Sequence, residues 1–210
     1  MTEQQPASNY ERGKRALDLA LAAPAAVVLA PLFAALAAAV KLESRGPIFF
    51  RQERIGRSGR PFEILKLRTL YDTPPTRPAD YLIAPDDRRI TRVGAFLRRW
   101  SLDELPQLWN IVRGDMSFVG PRPTLAYQVD QYTDFQRRRL EVLPGVTGWA
   151  QIHGRNGLSW PQRIEHDVWY VDNRSLWLDV RILLRTPRIL LQPRSIYGDA
   201  QGDWGERESV

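Results

Sequence analysis

Apolar and charged positions divide the chain into a membrane-like segment and a longer mixed segment. Residues 19–40 carry no charged side chain, and about 20 such residues are enough to cross a bilayer as a helix. Pro31 lies near the middle of this run, where a proline removes a backbone donor and clashes with the preceding turn. The pattern therefore predicts a helix that is bent or broken at Pro31 or, with less symmetry, at Pro24.

Charges on both flanks indicate how the apolar run would meet a membrane. Lys14 and Arg15 precede the run, whereas Lys41 and Arg45 follow it. Because the cytoplasmic flanks of membrane segments are enriched in Lys and Arg, both ends are expected on the same side, which a straight span does not allow. A re-entrant helix fits best, and the alternatives are a spanning helix, a cleaved signal peptide and a buried core helix.

The rest of the chain shows the periodicity of short strands and helices. Strands are predicted at residues 48–50 and 62–65, around a turn at 57–60. Helices are predicted over residues 93–100, 101–112, 127–143, 161–171 and 176–191. The expected fold class is α/β, mainly helical with a small sheet, in a monotopic membrane protein whose N-terminal re-entrant helix is broken at Pro31.

Four regions are expected from this pattern. They are a disordered N-terminus at 1–13, the re-entrant helix at 14–42, a cytoplasmic domain with interfacial helices at 43–192, and a polar tail at 193–210. The last predicted helix has more apolar residues than one core face needs, so it is either a core helix or an interfacial helix lying on lipid.

Composition narrows the chemistry. There is no cysteine, so disulfides and Cys-ligated zinc are excluded. There are only two histidines, so a bound metal would need oxygen ligands, which suits magnesium better than zinc. The net charge of +6 is carried mostly by arginine, whose fork matches phosphate oxygens. A basic surface can also bind nucleic acid or anionic lipid, but no nucleic-acid-binding motif is recognisable, so nucleic acid is the weaker choice.

The adjacent carboxylates Asp103 and Glu104 have a structural and a catalytic interpretation. With Ser101 they match a capping box, in which the serine begins a helix and Glu104 is its third residue. Alternatively, the helix start and arginines such as Arg98 would keep Asp103 ionised, as a nucleophile requires. Arg122, between two prolines, is suited to a bidentate phosphate contact.

Together these motifs resemble the bacterial sugar transferase family, the monotopic phosphoglycosyl transferases. The matching pieces are Lys14-Arg15 with Asp18, Pro31, and residues 46–56, 66–69, 87–91, 101–110, 114–123, 144–148, 154–156 and 170–171. They extend over most of the chain in a fixed order, which makes the resemblance specific.

The resemblance implies a reaction and a set of site residues. Family members move a phosphosugar from a UDP-sugar to undecaprenyl phosphate and release UMP, which initiates bacterial glycoconjugate or polysaccharide assembly, including capsule and lipopolysaccharide. Asp103 falls on the position of the nucleophile that forms a covalent phosphosugar intermediate, and Glu104 on that of the magnesium ligand. Substrate-binding positions are implied at Lys66, Arg68, Arg98, Arg122 and Arg155.

The same resemblance implies the location and the partners. The catalytic domain is expected on the cytoplasmic face of the bacterial inner membrane, in contact with phospholipid, a UDP-sugar and undecaprenyl phosphate but not nucleic acid. A homodimer is left open, and neither the sugar nor the pathway is identified. The chain lacks the transmembrane helices that precede this domain in larger relatives, so it resembles the minimal form.

Two points weigh against a simple transfer of family properties. Family members often carry serine before the helix-breaking proline, whereas this chain has Ala30, so backbone or neighbouring groups must hold the break. The rival interpretation is a non-enzymatic, membrane-anchored basic protein, which would need neither Asp103 nor magnesium.

Overall fold

The computed structural model describes residues 9–71, 87–154 and 157–190. These residues are mainly helical, with two small strand pairs, in agreement with the predicted α/β character. The helices are α1 Asn9–Val28, α2 Ala30–Glu43, α3 Arg92–Arg99, α4 Gln107–Arg113, α5 Ala126–Val129, α6 Asp134–Arg137, α7 Trp149–His153, α8 Trp160–Asn173 and α9 Leu176–Leu190. The strands are β1 Phe49–Ile55, β2 Pro61–Leu67, β3 Ser117–Val119 and β4 Gly145–Thr147.

Helices α1 and α2 form a bent pair, as the proline in the apolar run predicts. Their axes differ by 61°, and the break falls at Leu29, two residues before the predicted position. Pro31 lies in the first turn of α2, where its missing N–H costs little because that donor has no helical partner. In contrast, α1 continues through Pro24 to its end, so Pro31 and not Pro24 accompanies the break.

Backbone hydrogen bonds continue on both sides of the bend. The N–H of Leu29 donates to the carbonyl of Ala25 at 2.9 Å, and the N–H of Phe33 donates to the carbonyl of Leu29 at 2.8 Å. The backbone thus supports the bend beside Ala30 without a serine hydroxyl. No single described helix is both long and apolar enough to cross a bilayer, although the bent pair together reaches that length and composition.

The first helix packs into the body of the protein. Arg15 donates to the carbonyls of Ile111 and Val112 in the last turn of α4, at 2.5 and 2.7 Å. One turn further on, Asp18 is buried and accepts hydrogen bonds from Ser117 Oγ at 3.0 Å and from the Phe118 N–H at 3.1 Å. The predicted boundary at residue 42 therefore does not separate an anchor from an independent core.

A buried ionic cluster ties the start of α1 to the end of the chain that the structure describes. Asp179 of α9 is 1% exposed and accepts hydrogen bonds from Lys14 at 2.9 Å, Tyr10 at 3.0 Å and Tyr170 at 2.6 Å. These contacts hold the first described turns of α1 against α8 and α9. The expectation of disorder up to residue 13 is therefore wrong for residues 9–13, and residues 1–8 and the 193–210 tail lie outside the described residues.

The strands form two separate ladders. β1 and β2 pair antiparallel, from Phe49 opposite Leu67 to Ile55 opposite Pro61, around a 3₁₀ turn at Arg57–Gly59, which confirms the predicted hairpin. β3 and β4 pair parallel, with Ser117 opposite Gly145. The small sheet is thus two two-stranded pieces, held by the helices packed around them.

Two predicted helices are interrupted. The helix expected over residues 101–112 is a 3₁₀ turn, Leu102–Glu104, followed by α4. The helix expected over 127–143 is replaced by α5, α6 and a 3₁₀ turn at Arg138–Glu141, because Thr133 begins a new helix with a capping box. The apolar periodicity detected the buried face but not these local restarts.

Helix α9 has a core face and an exposed face of mixed character. Leu178 and Ile182 are buried and pack in one cluster with Tyr170 and Val171 of α8. On the other face Trp177 is 74% and Leu184 75% exposed, and each is followed four residues later by an exposed arginine. The buried face supports the core interpretation, whereas contact of the exposed face with lipid stays a prediction.

Candidate active site

A cavity of about 580 Å³ lies between the bent helix pair, the Asp103-Glu104 turn and helices α7 to α9. The charged residues of its lining are Lys66, Arg98, Asp103, Glu104, Arg122 and Arg163. The apolar residues of its lining are Ala25, Leu29, Leu105, Leu108, Phe118, Val146, Ile152 and Ile189, of which Leu29 lies at the helix break. The site thus offers a highly polar and a strongly apolar environment in one space.

The two carboxylates sit on a turn that a strained serine introduces. Ser101 has φ 54° and ψ 25° and does not cap the following turn, so the predicted capping box is wrong. A positive φ is rare for a residue with a Cβ and is found disproportionately at functional sites. This left-handed residue ends α3 and redirects the chain, so that Asp103 and Glu104 both line the cavity.

Glu104 joins two distant segments of the chain. Its Oε1 accepts hydrogen bonds from Lys66 Nζ and from the Arg122 guanidinium, both at 2.8 Å. Burial raises the pKa of Glu104, but the charges of Arg122 and Lys66 outweigh burial and hold that pKa well below its usual range. Glu104 is therefore an ionised carboxylate that fixes the position of both cations.

Asp103 is the more buried of the two carboxylates. It is 9% exposed, and among the described residues no group donates a hydrogen bond to it. Burial raises its pKa above the usual range, opposed first by Lys66 and then by Arg98 and Arg122. The raised pKa differs from the expectation that nearby arginines would lower the pKa of Asp103 and keep it ionised. The cost of burial, increased by the adjacent negative charge of Glu104, exceeds their attraction.

Arg98 and Arg122 reach the cavity from different segments of the chain. Arg98 lies on α3, which packs so closely on the end of β2 that a Cβ at Gly94 would lie 2.1 Å from the carbonyl oxygen of Thr69. Across this contact Arg98 Nε donates to Thr69 Oγ1 at 3.0 Å. Arg122 keeps 45% of its side chain exposed, so it can still contact a ligand while it holds Glu104.

A second, fully buried ion pair supports the segment that carries Arg122. Arg139 donates to Asp167 at 2.5 Å and to the backbone carbonyl of Arg122 at 3.0 Å. Burial raises the pKa of Asp167 to about 6, opposed first by Arg139. Burial, together with the charge of Arg122, also lowers the pKa of Arg54 to about 10. Positive charge is thus in excess around Arg122, as an anion site requires.

Arg68, a predicted substrate residue, lies away from the cavity. It is 5% exposed and donates to the carbonyls of Arg45 and Ser44, both at 2.8 Å. It does not line the cavity, because β2 ends at Leu67 and the next side chain turns toward the end of α2. The contacts of Arg68 are structural, and its assignment to substrate stays a prediction. Arg155 lies outside the described residues.

The donors present fit a magnesium ion shared with a substrate, but not an all-protein metal site. Among the described residues no three Asp, Glu or His side chains form a metal-binding group. However, both hydrogen bonds to Glu104 use Oε1, which leaves Oε2 and the neighbouring Asp103 carboxylate. Magnesium is commonly held by one or two carboxylates plus substrate phosphates.

Comparison with known proteins identifies the family. The family model described as bacterial sugar transferase matches residues 9–193, which include the whole cavity. The chain belongs to the bacterial sugar transferase family. Its membership favours the enzymatic interpretation of the cavity over a non-enzymatic basic protein.

Three relatives illustrate the range of the family. The uncharacterized sugar transferase EpsL of Bacillus subtilis is 48% identical over 76% of this chain and 77% of its own length. The UDP-glucose:undecaprenyl-phosphate glucose-1-phosphate transferase of Caulobacter vibrioides is 45% identical over 88% of this chain and 72% of its own. The UDP-N-acetylgalactosamine-undecaprenyl-phosphate N-acetylgalactosaminephosphotransferase of Aeromonas hydrophila is 42% identical over 89% of this chain but 45% of its own length.

The sequence motifs did not reveal all cavity residues of this sugar transferase. Arg163 is one of the charged lining residues. Thr147, Gln151 and Thr186 form a neutral polar part of the lining, called here the neutral strip. Arg163 stands four residues before Asp167 on α8, a spacing that places both on one helix face. That spacing was a usable signal, whereas nothing local distinguished the neutral residues.

The position of Arg68 leads to a stability prediction. Arg68→Met leaves the carbonyls of Ser44 and Arg45 without their buried donor, so the free energy of unfolding should fall by about 1–3 kcal/mol. Arg51→Met is the control, because Arg51 is 64% exposed and surface substitutions are usually within about 0.5 kcal/mol. Denaturant unfolding of both variants in detergent checks this. Equal stability of the two variants would contradict the structural role of Arg68.

Proposed function

We propose that this protein transfers a sugar phosphate from a UDP-sugar to undecaprenyl phosphate and releases UMP. The observation that carries the proposal is the cavity itself, whose lining combines two carboxylates and several cations with apolar residues that reach the helix break. A nucleotide sugar needs the first environment and a polyprenyl phosphate needs both. The names of the Caulobacter and Aeromonas relatives describe this class of reaction with two different sugars, so the sugar is left open.

The proposed chemistry is a two-step exchange at one phosphorus atom. An oxygen of Asp103 attacks the phosphorus that carries the sugar, and the bond from that phosphorus to the UMP oxygen breaks with its electron pair leaving on UMP. An oxygen of the lipid phosphate then attacks the same phosphorus, and the Asp103 carboxylate leaves. Because no described residue donates a hydrogen bond to Asp103, its oxygens need no displacement of a partner before attack.

The surrounding charges have separate roles in this scheme. Lys66, Arg98 and Arg122 counter the negative charge that the diphosphate brings to two buried carboxylates. Glu104 orients Lys66 and Arg122 through Oε1 and, with Oε2, would hold magnesium. When bound, magnesium supplies additional neutralisation of phosphate oxygens.

A membrane location follows from the lipid substrate and has support in the exposed surface. The bend between α1 and α2 presents Val27 and Val28, which are 75% and 74% exposed. Exposure of this degree at the tip of an apolar hairpin is costly in water and favourable in lipid. We infer that the hairpin enters the bacterial inner membrane from the cytoplasmic side and returns, with the catalytic body on the cytoplasmic face.

The nucleophile assignment is tested with Asp103→Asn. This change keeps the size of the side chain but removes the anion, so UMP release should fall by at least 1,000-fold, about 4 kcal/mol of transition-state stabilisation. Protein incubated with a radiolabelled UDP-sugar should retain label in the wild type and none in the variant. Asp130→Asn, an exposed site, is the control. Wild-type turnover in Asp103→Asn would refute the assignment.

The metal assignment is tested with Glu104→Gln. Loss of the ligand charge should lower turnover and raise the magnesium concentration for half-maximal rate by about tenfold or more. Glu63→Gln provides a matched control, since Glu63 is 61% exposed. An unchanged magnesium titration in Glu104→Gln would rule out Glu104 as a ligand.

Topology is tested with single cysteines at Ser8 and Ser58, because the chain has no cysteine of its own. An impermeant thiol reagent outside intact cells should label neither position, whereas permeabilised cells should be labelled at both. Labelling of Ser8→Cys alone in intact cells would indicate a straight span and contradict the hairpin.

Adding Pro31→Ala should favour straightening, as the helix regains a backbone hydrogen bond. An unchanged labelling pattern and full activity would show that Pro31 does not set the break.

A further inference from the structure

Gln151 is a buried amide without a protein partner at the wall of the cavity. It lies on α7 and lines the cavity, and both its amide nitrogen and its amide oxygen are buried with no hydrogen-bond partner among the described residues. A buried amide that lacks both partners costs about 1–3 kcal/mol for each unsatisfied group. Such a cost is retained at a site where a ligand supplies the partners.

The neighbours of Gln151 form a neutral, polar wall. Thr147 and Thr186 line the same cavity, and their hydroxyl oxygens are 2.8 Å apart. Thr186 also donates to the carbonyl of Ile182, so Thr147 donates to Thr186 and keeps an oxygen lone pair for another group. No charged side chain is part of this strip, so it suits a neutral hydrogen-bonding group, whereas the lysine and arginine residues of the cavity suit phosphate.

A close backbone contact connects the neutral strip to the segment that carries Arg122. A Cβ at Gly148 would lie 2.2 Å from the carbonyl oxygen of Gly120 and 2.8 Å from Gln151 Oε1. Only glycine therefore allows the start of α7, with the Gln151 amide over it, to pack on the chain at Gly120. Arg122 follows two residues later, a separation of at most about 7 Å along the chain. A ribose joins a base to its phosphates over a comparable span.

We propose that Gln151 recognises an amide-like edge of the nucleotide sugar, with the imide edge of uracil as the group that it pairs with. The inference rests on the proposed function, because it assumes a UDP-sugar in this cavity. A primary amide has one donor side and one acceptor side, and the uracil imide presents an N–H beside a carbonyl oxygen. Rotation about the Gln151 side-chain bonds turns the amide from its buried position toward the ligand. The other amide-like group in some donors is a sugar acetamido group.

Gln151→Met tests the inference, because it keeps the length of the side chain and removes both polar atoms. UDP binding to purified protein, measured by calorimetry in detergent, should weaken by about tenfold, the equivalent of one or two lost hydrogen bonds. Binding of inorganic pyrophosphate should not change. Gln151→Ala is the second variant, and Gln131→Met, at an exposed site, is the control. Thermal unfolding should confirm that all variants remain folded.

The outcomes separate this inference from the proposed function. If UDP binding is unchanged but the KM for a UDP-N-acetylhexosamine rises relative to that for UDP-glucose, the amide edge is that of the acetamido group, which supports recognition by Gln151 and replaces uracil as its target. If UDP binding and both KM values match the wild type, the inference is overturned. A wild-type protein that turns over donor while Gln151→Met is unaffected refutes only the role of Gln151. A wild-type protein that neither binds UDP nor releases UMP refutes the proposed function.

Discussion

The geometry of the site depends on one carboxylate oxygen that accepts hydrogen bonds from two cations. Glu104 Oε1 binds Lys66 of β2 and Arg122 of the loop after β3, so it connects the antiparallel hairpin to the parallel strand pair. Neither ladder has more than two strands, and two-stranded pieces are marginal alone. Without Glu104, Lys66 and Arg122 would lose the carboxylate that they share, so Glu104 contributes to the arrangement of these segments as well as to their chemistry.

The bent helix pair also contacts the segments that carry the site residues. Arg15 contacts the carbonyl end of α4, the helix that follows the Asp103-Glu104 turn. Asp18 binds the start of the segment that leads to Arg122. A displacement of α1 would therefore be transmitted to both carboxylates and to Arg122. In the proposed topology, this coupling sets the height of the cavity relative to the bilayer.

The lining of the cavity combines three kinds of side chain, and each kind suits one part of the proposed substrates. Lysine and arginine accompany the two carboxylates, Thr147 and Gln151 are neutral and polar, and Leu29 and Leu108 are apolar. Burial strengthens this selectivity, because a charge is costly against apolar side chains and a buried amide is costly without a partner.

Features that depend on local chemistry could be predicted from the order of the residues. A proline in an uncharged run predicts a bend wherever the helix lies, and alternating residues around a turn predict the β1–β2 hairpin. The ordered motifs identified the family and brought Lys66, Arg98, Asp103, Glu104 and Arg122 together as site residues. Tertiary structure decided what depends on distant contacts. Arg68 binds the end of α2 instead of the cavity, Ser101 adopts a left-handed conformation instead of a cap, and Gln151 meets the site only because Gly148 packs on Gly120. Spacing along the chain does not encode these contacts, since each depends on which segments fold against one another.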